Sequence, residues 1–209
     1  MKVLRILVAL VLTTGGCLTG RAAYLHAKAE LAGLLIRRAW DQSVQHGGAH
    51  APWPWADTHP VARLRIPRLT YDEIVLDNAT PRTLAFGPAR LLSSADFGEP
   101  GNLELAGHRT TWFRSLEGIA ADDQIEIEWI TRRGEVRKRD YRVTDIDVVR
   151  PEDVHLLAPT AEDTLTLITC YPFNRSPRSP FRFVVRARPL GSSTSERAAK
   201  ALSPTATPG

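Results

Sequence analysis

Cys170 closes the run Thr164-Leu165-Thr166-Leu167-Ile168-Thr169-Cys170 and is followed by Tyr171-Pro172. A strand ending in cysteine presents its thiol toward loops, where sites are commonly built on a rigid scaffold. A thiolate so placed can attack a carbonyl and carry the acyl group. The same chemistry needs a proton partner for the departing amine and a positive group facing the developing oxyanion. His108 lies in Leu105-Ala106-Gly107-His108-Arg109, just past a second apolar stretch and beside a glycine that permits close backbone approach. Arg182 lies on a third stretch, Phe181-Arg182-Phe183-Val184-Val185-Arg186. Each residue has an ordinary reading. Free cysteine is often a buried inert group, a lone histidine is often structural, and an arginine on a strand is often a solvated face residue. Taken together, one thiol, one imidazole and one guanidinium at the edges of three strands are the parts of a cysteine acyl-transfer site. Arg186 shares a strand face with Arg182 and is the alternative guanidinium.

The elements that must hold these groups read as strands. Alternating runs of Val, Ile, Leu, Thr and aromatic residues predict strands over 61–66, 71–76, 102–106, 124–131, 141–150, 164–169 and 181–188, with Pro, Gly, Asp or Asn between them. The series predicts an all-β domain over 61–190, long enough to close into a small barrel and so remove exposed edges. Short helical turns are expected over 111–116 and 151–157. No internal repeat is present.

Ahead of this domain, residues 1–20 form an apolar run entered by Lys2 and Arg5. Its length is near the lower limit for a membrane span, and apolar residues continue at helical spacing through Ala27, Leu31, Leu34, Leu35 and Ala39. The expectation is a retained membrane anchor over 1–22, then a juxtamembrane helix and linker over 23–60. A cleaved signal core is the other reading, with Arg21-Ala22-Ala23 as the processing site. Lys2 and Arg5 favour a cytoplasmic N-terminus with the bulk of the chain outside. Trp53 and Trp55 in Pro52-Trp53-Pro54-Trp55 are expected to pack on the domain. Residues 191–209 are small and polar and read as a disordered tail.

The remaining composition excludes several classes. Lys and Arg number 27 against 23 Asp and Glu, a net charge of +4 with no clustered basic stripe, so no nucleic-acid partner is assigned. Cys17 sits in the apolar run and cannot easily reach Cys170, so no disulfide is expected. Cys17 lacks the upstream leucine of a lipoprotein site. Glu126, Glu128, Asp145 and Asp147 alternate as surface strand residues do, and no Cys/His spacing supplies a zinc site, so neither metal nor cofactor is assigned.

The residues resemble those of the sortase family. Thr166-Leu167-Ile168-Thr169-Cys170 matches the family pattern T-L-x-T-C. Gly101-Asn102-Leu103-Glu104-Leu105-Ala106-Gly107-His108-Arg109 is similar to the stretch that carries the family histidine, and Arg182 stands in the context of its arginine. The lead-in Trp53-Pro54-Trp55-Ala56-Asp57-Thr58 resembles the proteobacterial class GN sortases. The resemblance implies an eight-stranded barrel and a membrane-tethered transpeptidase of the inner membrane, its domain facing the periplasm. It implies cleavage of an L-P-x-T-G-like C-terminal sorting signal between Thr and Gly, through a thioacyl-enzyme passed to an amine acceptor. Cys170 would be the nucleophile, His108 the proton carrier and Arg182 the oxyanion stabiliser. Thr169, and Val154, Leu156 and Leu157 on the loop over 150–163, would contact the substrate. A cysteine hydrolase without an amine acceptor and a non-catalytic membrane-anchored β module stay open as alternatives. An L,D-transpeptidase is disfavoured, because its cysteine usually follows S-x-G.

Overall fold

The structure is a computed structural model and describes residues 2–131, 133–153, 160–174 and 180–191. A long helix, α1 (Lys2–His46), leads into eight strands: β1 (Pro60–Ile66), β2 (Tyr71–Leu76), β3 (Ala89–Arg90), β4 (Asn102–Ala106), β5 (Gln124–Ile130), β6 (Val136–Val149), β7 (Thr164–Tyr171) and β8 (Phe181–Pro189). They close into a barrel in the order β1-β2-β3-β4-β7-β8-β6-β5. Two neighbouring pairs are parallel, β2 with β3 and β4 with β7; the others are antiparallel.

Strand alternation fills the barrel. Leu64, Leu105, Ile125, Ile127, Leu165, Leu167 and Val185 are fully buried in one core with Phe113. Six of the strands match expected segments to within a few residues. The exception in extent is β6, which begins at Val136 and runs along β5 as a hairpin arm before reaching β8. The unexpected strand is β3, whose two residues are too few for any periodicity; its bonds to β2 and β4 define it. The turn expected over 111–116 is a 3-10 helix at Arg114–Gly118. Most of the second expected turn, and the tail beyond Gly191, lie outside the described residues.

The expected anchor and the juxtamembrane helix are one continuous helix, which runs on through Gln45 and His46 before Gly47 turns the chain into the linker. Its C-terminal part docks on the outside of the barrel. Ile36 and Trp40 pack with Ile74, Leu76 and Ala89, and Arg37 reaches Glu73 at 3.4 Å. Trp53 joins this contact edge-on to Phe86, whereas Trp55 stays exposed. Toward the N-terminus, Val3, Leu4, Leu10, Leu12, Leu18 and Tyr24 are exposed. Among the described residues no helix is long and apolar enough to cross a membrane, so the expected span is not reproduced as an apolar helix.

The docked half of α1 rests on one large ring. Trp40→Ala is expected to lower stability by about 3–5 kcal/mol, as for other buried aromatic truncations. The shift in the urea unfolding midpoint, with the slope unchanged, measures it.

Candidate active site

The site is built by three adjacent strands. In β7, Leu165 and Leu167 point into the core, so Thr166, Ile168 and Cys170 face outward. In β8, Phe183, Val185 and Ala187 point inward, so Arg182, Val184 and Arg186 face outward. Cys170 is directly opposite Arg182 in the antiparallel register, a relation that sets Cβ atoms about 5 Å apart. On the other side of β7, β4 runs parallel with Ala106 beside Ile168, and the Gly107 amide donates to the Ile168 carbonyl at 3.2 Å. His108 follows Gly107 directly, and the Thr169 hydroxyl also donates to the Gly107 carbonyl, so His108 stands at the same end of the barrel as Cys170. The imidazole, thiol and guanidinium therefore line up at one end of the barrel, the first just past the end of β4 and the other two on β7 and β8. His108 is exposed, and Cys170 and Arg182 are half-buried. Cys170 and Cys17 are both free thiols.

The same register separates the two arginines. Arg186 stands opposite Thr166, four residues from Cys170, and lies near Asp147 (3.6 Å) and Asp145 (3.8 Å). Arg182 Nη1 donates to the Phe181 carbonyl at 3.1 Å, keeping its guanidinium at the thiol end of the barrel. Glu126 pairs with Arg65 and Lys138, which accounts for one of the alternating acids as a surface ion pair.

Thr169 lies on the inward face. It is buried and its hydroxyl donates to the Gly107 carbonyl at 2.7 Å, so this side chain braces the site's frame instead of facing a substrate. Val154, Leu156 and Leu157 lie outside the described residues.

The loop that carries His108 has further contributors, of which the sequence reading flagged the glycine alone. A Cβ at Gly107 would stand 2.9 Å from the Phe113 ring, so only glycine lets the histidine loop close over that ring. The His108 carbonyl accepts from the Phe113 amide at 2.9 Å and the Thr111 amide at 3.3 Å, folding the loop back on itself. Arg109 and Arg114, on this loop, donate to carbonyls of the segment that follows Cys170. The glycine beside His108 was the one available signal. An open cavity of about 870 Å³, lined by His59, Asp77, Arg90, Phe97, Trp129 and Arg137 among others, includes no residue of β4, β7 or β8 and lies away from the row.

Glu104 is the unusual group on the outer wall. It sits beside Thr166, almost fully buried, with Oε1 accepting from Asn102 at 3.2 Å and Oε2 without a partner. Burial raises its carboxyl to about 7.

An all-β closed barrel with a strand-end cysteine flanked by histidine and arginine defines a class of cysteine acyl-transfer folds. The sortase domain family matches residues 64–190, more than half of the chain, and the chain belongs to that family. Sortase D of Bacillus subtilis is 26% identical over 123 residues, which cover 58% of this chain and 60% of that protein, so the match spans less than two thirds of the relative. Among solved structures, sortase A from Corynebacterium diphtheriae is 30% identical with a TM-score of 0.57, covering 69% of this chain and 66% of that one. A Clostridium perfringens sortase D5 transpeptidase has a TM-score of 0.62 at 20% identity, covering 78% of this chain and 99% of that one. The last likeness is one of fold.

The Glu104 carboxyl makes stability pH-dependent in a stated direction. Its folded pKa is raised, so its contribution is complete below the unfolded value of 4.5 and is lost as pH rises through about 7. Between pH 5 and pH 8 the wild type is expected to lose about 2–3 kcal/mol relative to Glu104→Gln. Urea unfolding of both proteins at the two pH values checks this.

Proposed function

We propose that this chain is a sortase transpeptidase that cleaves an L-P-x-T-G-like sorting signal between Thr and Gly and passes the protein to an amine acceptor. The observation that carries the reading is that Cys170 pairs across from Arg182 while His108 follows the end of β4, the strand beside β7. The Cys170 thiolate adds to the threonine carbonyl, and the electron pair moves onto the oxygen. Arg182 donates to that oxyanion, where a fixed cation acts on charge that exists only near the transition state. Collapse of the tetrahedral species breaks the C–N bond, and His108 gives its proton to the leaving glycine amine. The threonyl thioester then meets the acceptor amine. His108 takes the amine proton, a new C–N bond forms, and the thiolate leaves.

The exposed apolar side chains along the first half of α1 support a tether of the domain at a membrane. The proposed setting is the inner membrane, with the barrel on the periplasmic side, as the lead-in's resemblance to class GN sortases suggests. A hydrolase reading differs only in the final nucleophile, since water and amine compete for one thioester.

Mass spectrometry of the full chain mixed with L-P-x-T-G peptides tests the proposal. A threonyl adduct on Cys170 is expected, and Cys170→Ala should lose it while keeping its unfolding midpoint. His108→Ala should slow acylation by about 10²–10⁴-fold, and Arg182→Gln by about 10²–10³-fold. Product formation that rises with added hydroxylamine or diamine marks a transferase. An adduct that persists in Cys170→Ala, or its absence with every peptide of this class, overturns the assignment.

A further inference from the structure

The row of three groups is not held equally. Cys170 and Arg182 face each other inside the β7–β8 ladder. His108 lies beyond the end of β4, whose last paired residue is Ala106. The sheet therefore fixes the thiol and the guanidinium, and something other than the ladder must fix the imidazole.

Two arginines cross the gap. Arg109, the residue after His108, donates from Nη1 to the Pro172 carbonyl at 2.9 Å. Arg114, where the 3-10 helix begins, donates from Nη1 to the Phe173 carbonyl at 2.7 Å. Pro172 and Phe173 follow directly on Tyr171, the last residue of β7 paired with β8, so these carbonyls lie past the end of that ladder. Guanidinium-to-carbonyl bonds are charge-assisted and shorter and stronger than neutral ones. A planar guanidinium also holds a direction that a flexible ammonium does not. The histidine loop is thus tied to the two residues immediately behind the nucleophile's strand end, in addition to the Thr169–Gly107 bond beneath it.

We propose that Arg109 is a positioning residue for the acyl-transfer reaction, with Arg114 as its second tie: together they set the distance and orientation of the His108 imidazole against the Cys170 sulfur. Neither guanidinium is assigned to the substrate. This rests on the reading of Cys170 and His108 as nucleophile and proton carrier. A misplacement of about 1 Å in a catalytic group costs about 10²-fold in rate, so loss of the tie is felt in turnover more than in binding.

The test is a mutant cycle on the full chain, with L-P-x-T-G peptide as donor and hydroxylamine as acceptor. Arg109→Met should lower kcat by about 10²-fold with KM nearly unchanged. Arg109→Lys should recover part of that loss, since an ammonium reaches the carbonyl without the planar geometry. In a His108→Ala background, Arg109→Met should cause little further loss, because a residue acting through the imidazole has nothing left to position. Arg114→Met should behave alike with a smaller amplitude. Should Arg109→Met fail to fold, the Lys and Arg114 variants carry the same cycle. An unchanged kcat, a loss appearing in KM, or an equal further loss in the His108→Ala background overturns the proposal. A wild-type protein that forms no Cys170 adduct fails at the earlier reading instead, and is recognised before any variant is compared.

Discussion

The parallel pairing of β4 with β7 is the constraint on which the site depends. No tight turn sets that register, because the chain between the two strands contains the whole of β5 and β6. It is set by alternation and by two side-chain bonds. Thr166 donates to the Asn102 amide oxygen at 2.6 Å, and Thr169 donates to the Gly107 carbonyl at 2.7 Å. A slip of one residue would turn Leu165 and Leu167 out of the core and Cys170 into it. Core packing and placement of the thiol are thus one requirement. Thr169 shows why a threonine precedes the cysteine here: its hydroxyl locks the frame from below while the next side chain faces out.

The outer wall around this row is not uniformly solvated. Glu104, Thr166 and Val184 face outward yet are buried. An acidic side chain in such a place keeps its proton to near neutrality because burial strips water from the charged form. The polar chain Thr166–Asn102–Glu104 satisfies one carboxyl oxygen and leaves the other without a partner. Electrostatics elsewhere on the barrel is conventional. Arg63 pairs bidentately with Asp72, and Arg68 with Asp123, which holds both carboxyls below the usual range.

Much of the barrel was legible beforehand because period-2 alternation is a local property. β1, β2, β4, β5, β7 and β8 each carry it in their own residues. β3 could not be seen, since Ala89 and Arg90 become a strand only through partners on β2 and β4. The start of β6 was missed for a related reason. Val136–Asp140 is largely polar and exposed, and its pairing with β5 supplies the order that its composition does not. The N-terminal run was read as a span from its apolar content. The helix it forms is continuous to His46, and among its described side chains those buried, from Ile36 to Ser43, lie in the last turns.

Sequence by itself determined the chemistry available to this chain: a thiol at the end of an apolar run, an imidazole after a glycine and a guanidinium on a third strand, in the pattern of the sortase family. It also determined the faces, because alternation along a strand is written in the residues. Tertiary structure decided which of these groups meet. Strand order and register put Arg182, not Arg186, across from Cys170, brought the loop of His108 to the same end of the barrel, and laid Arg109 and Arg114 onto the carbonyls behind the thiol. The placement of the histidine loop depends on contacts between residues some sixty positions apart in the chain. Such pairings are settled by the joint packing of the whole barrel, and no single segment contains the information.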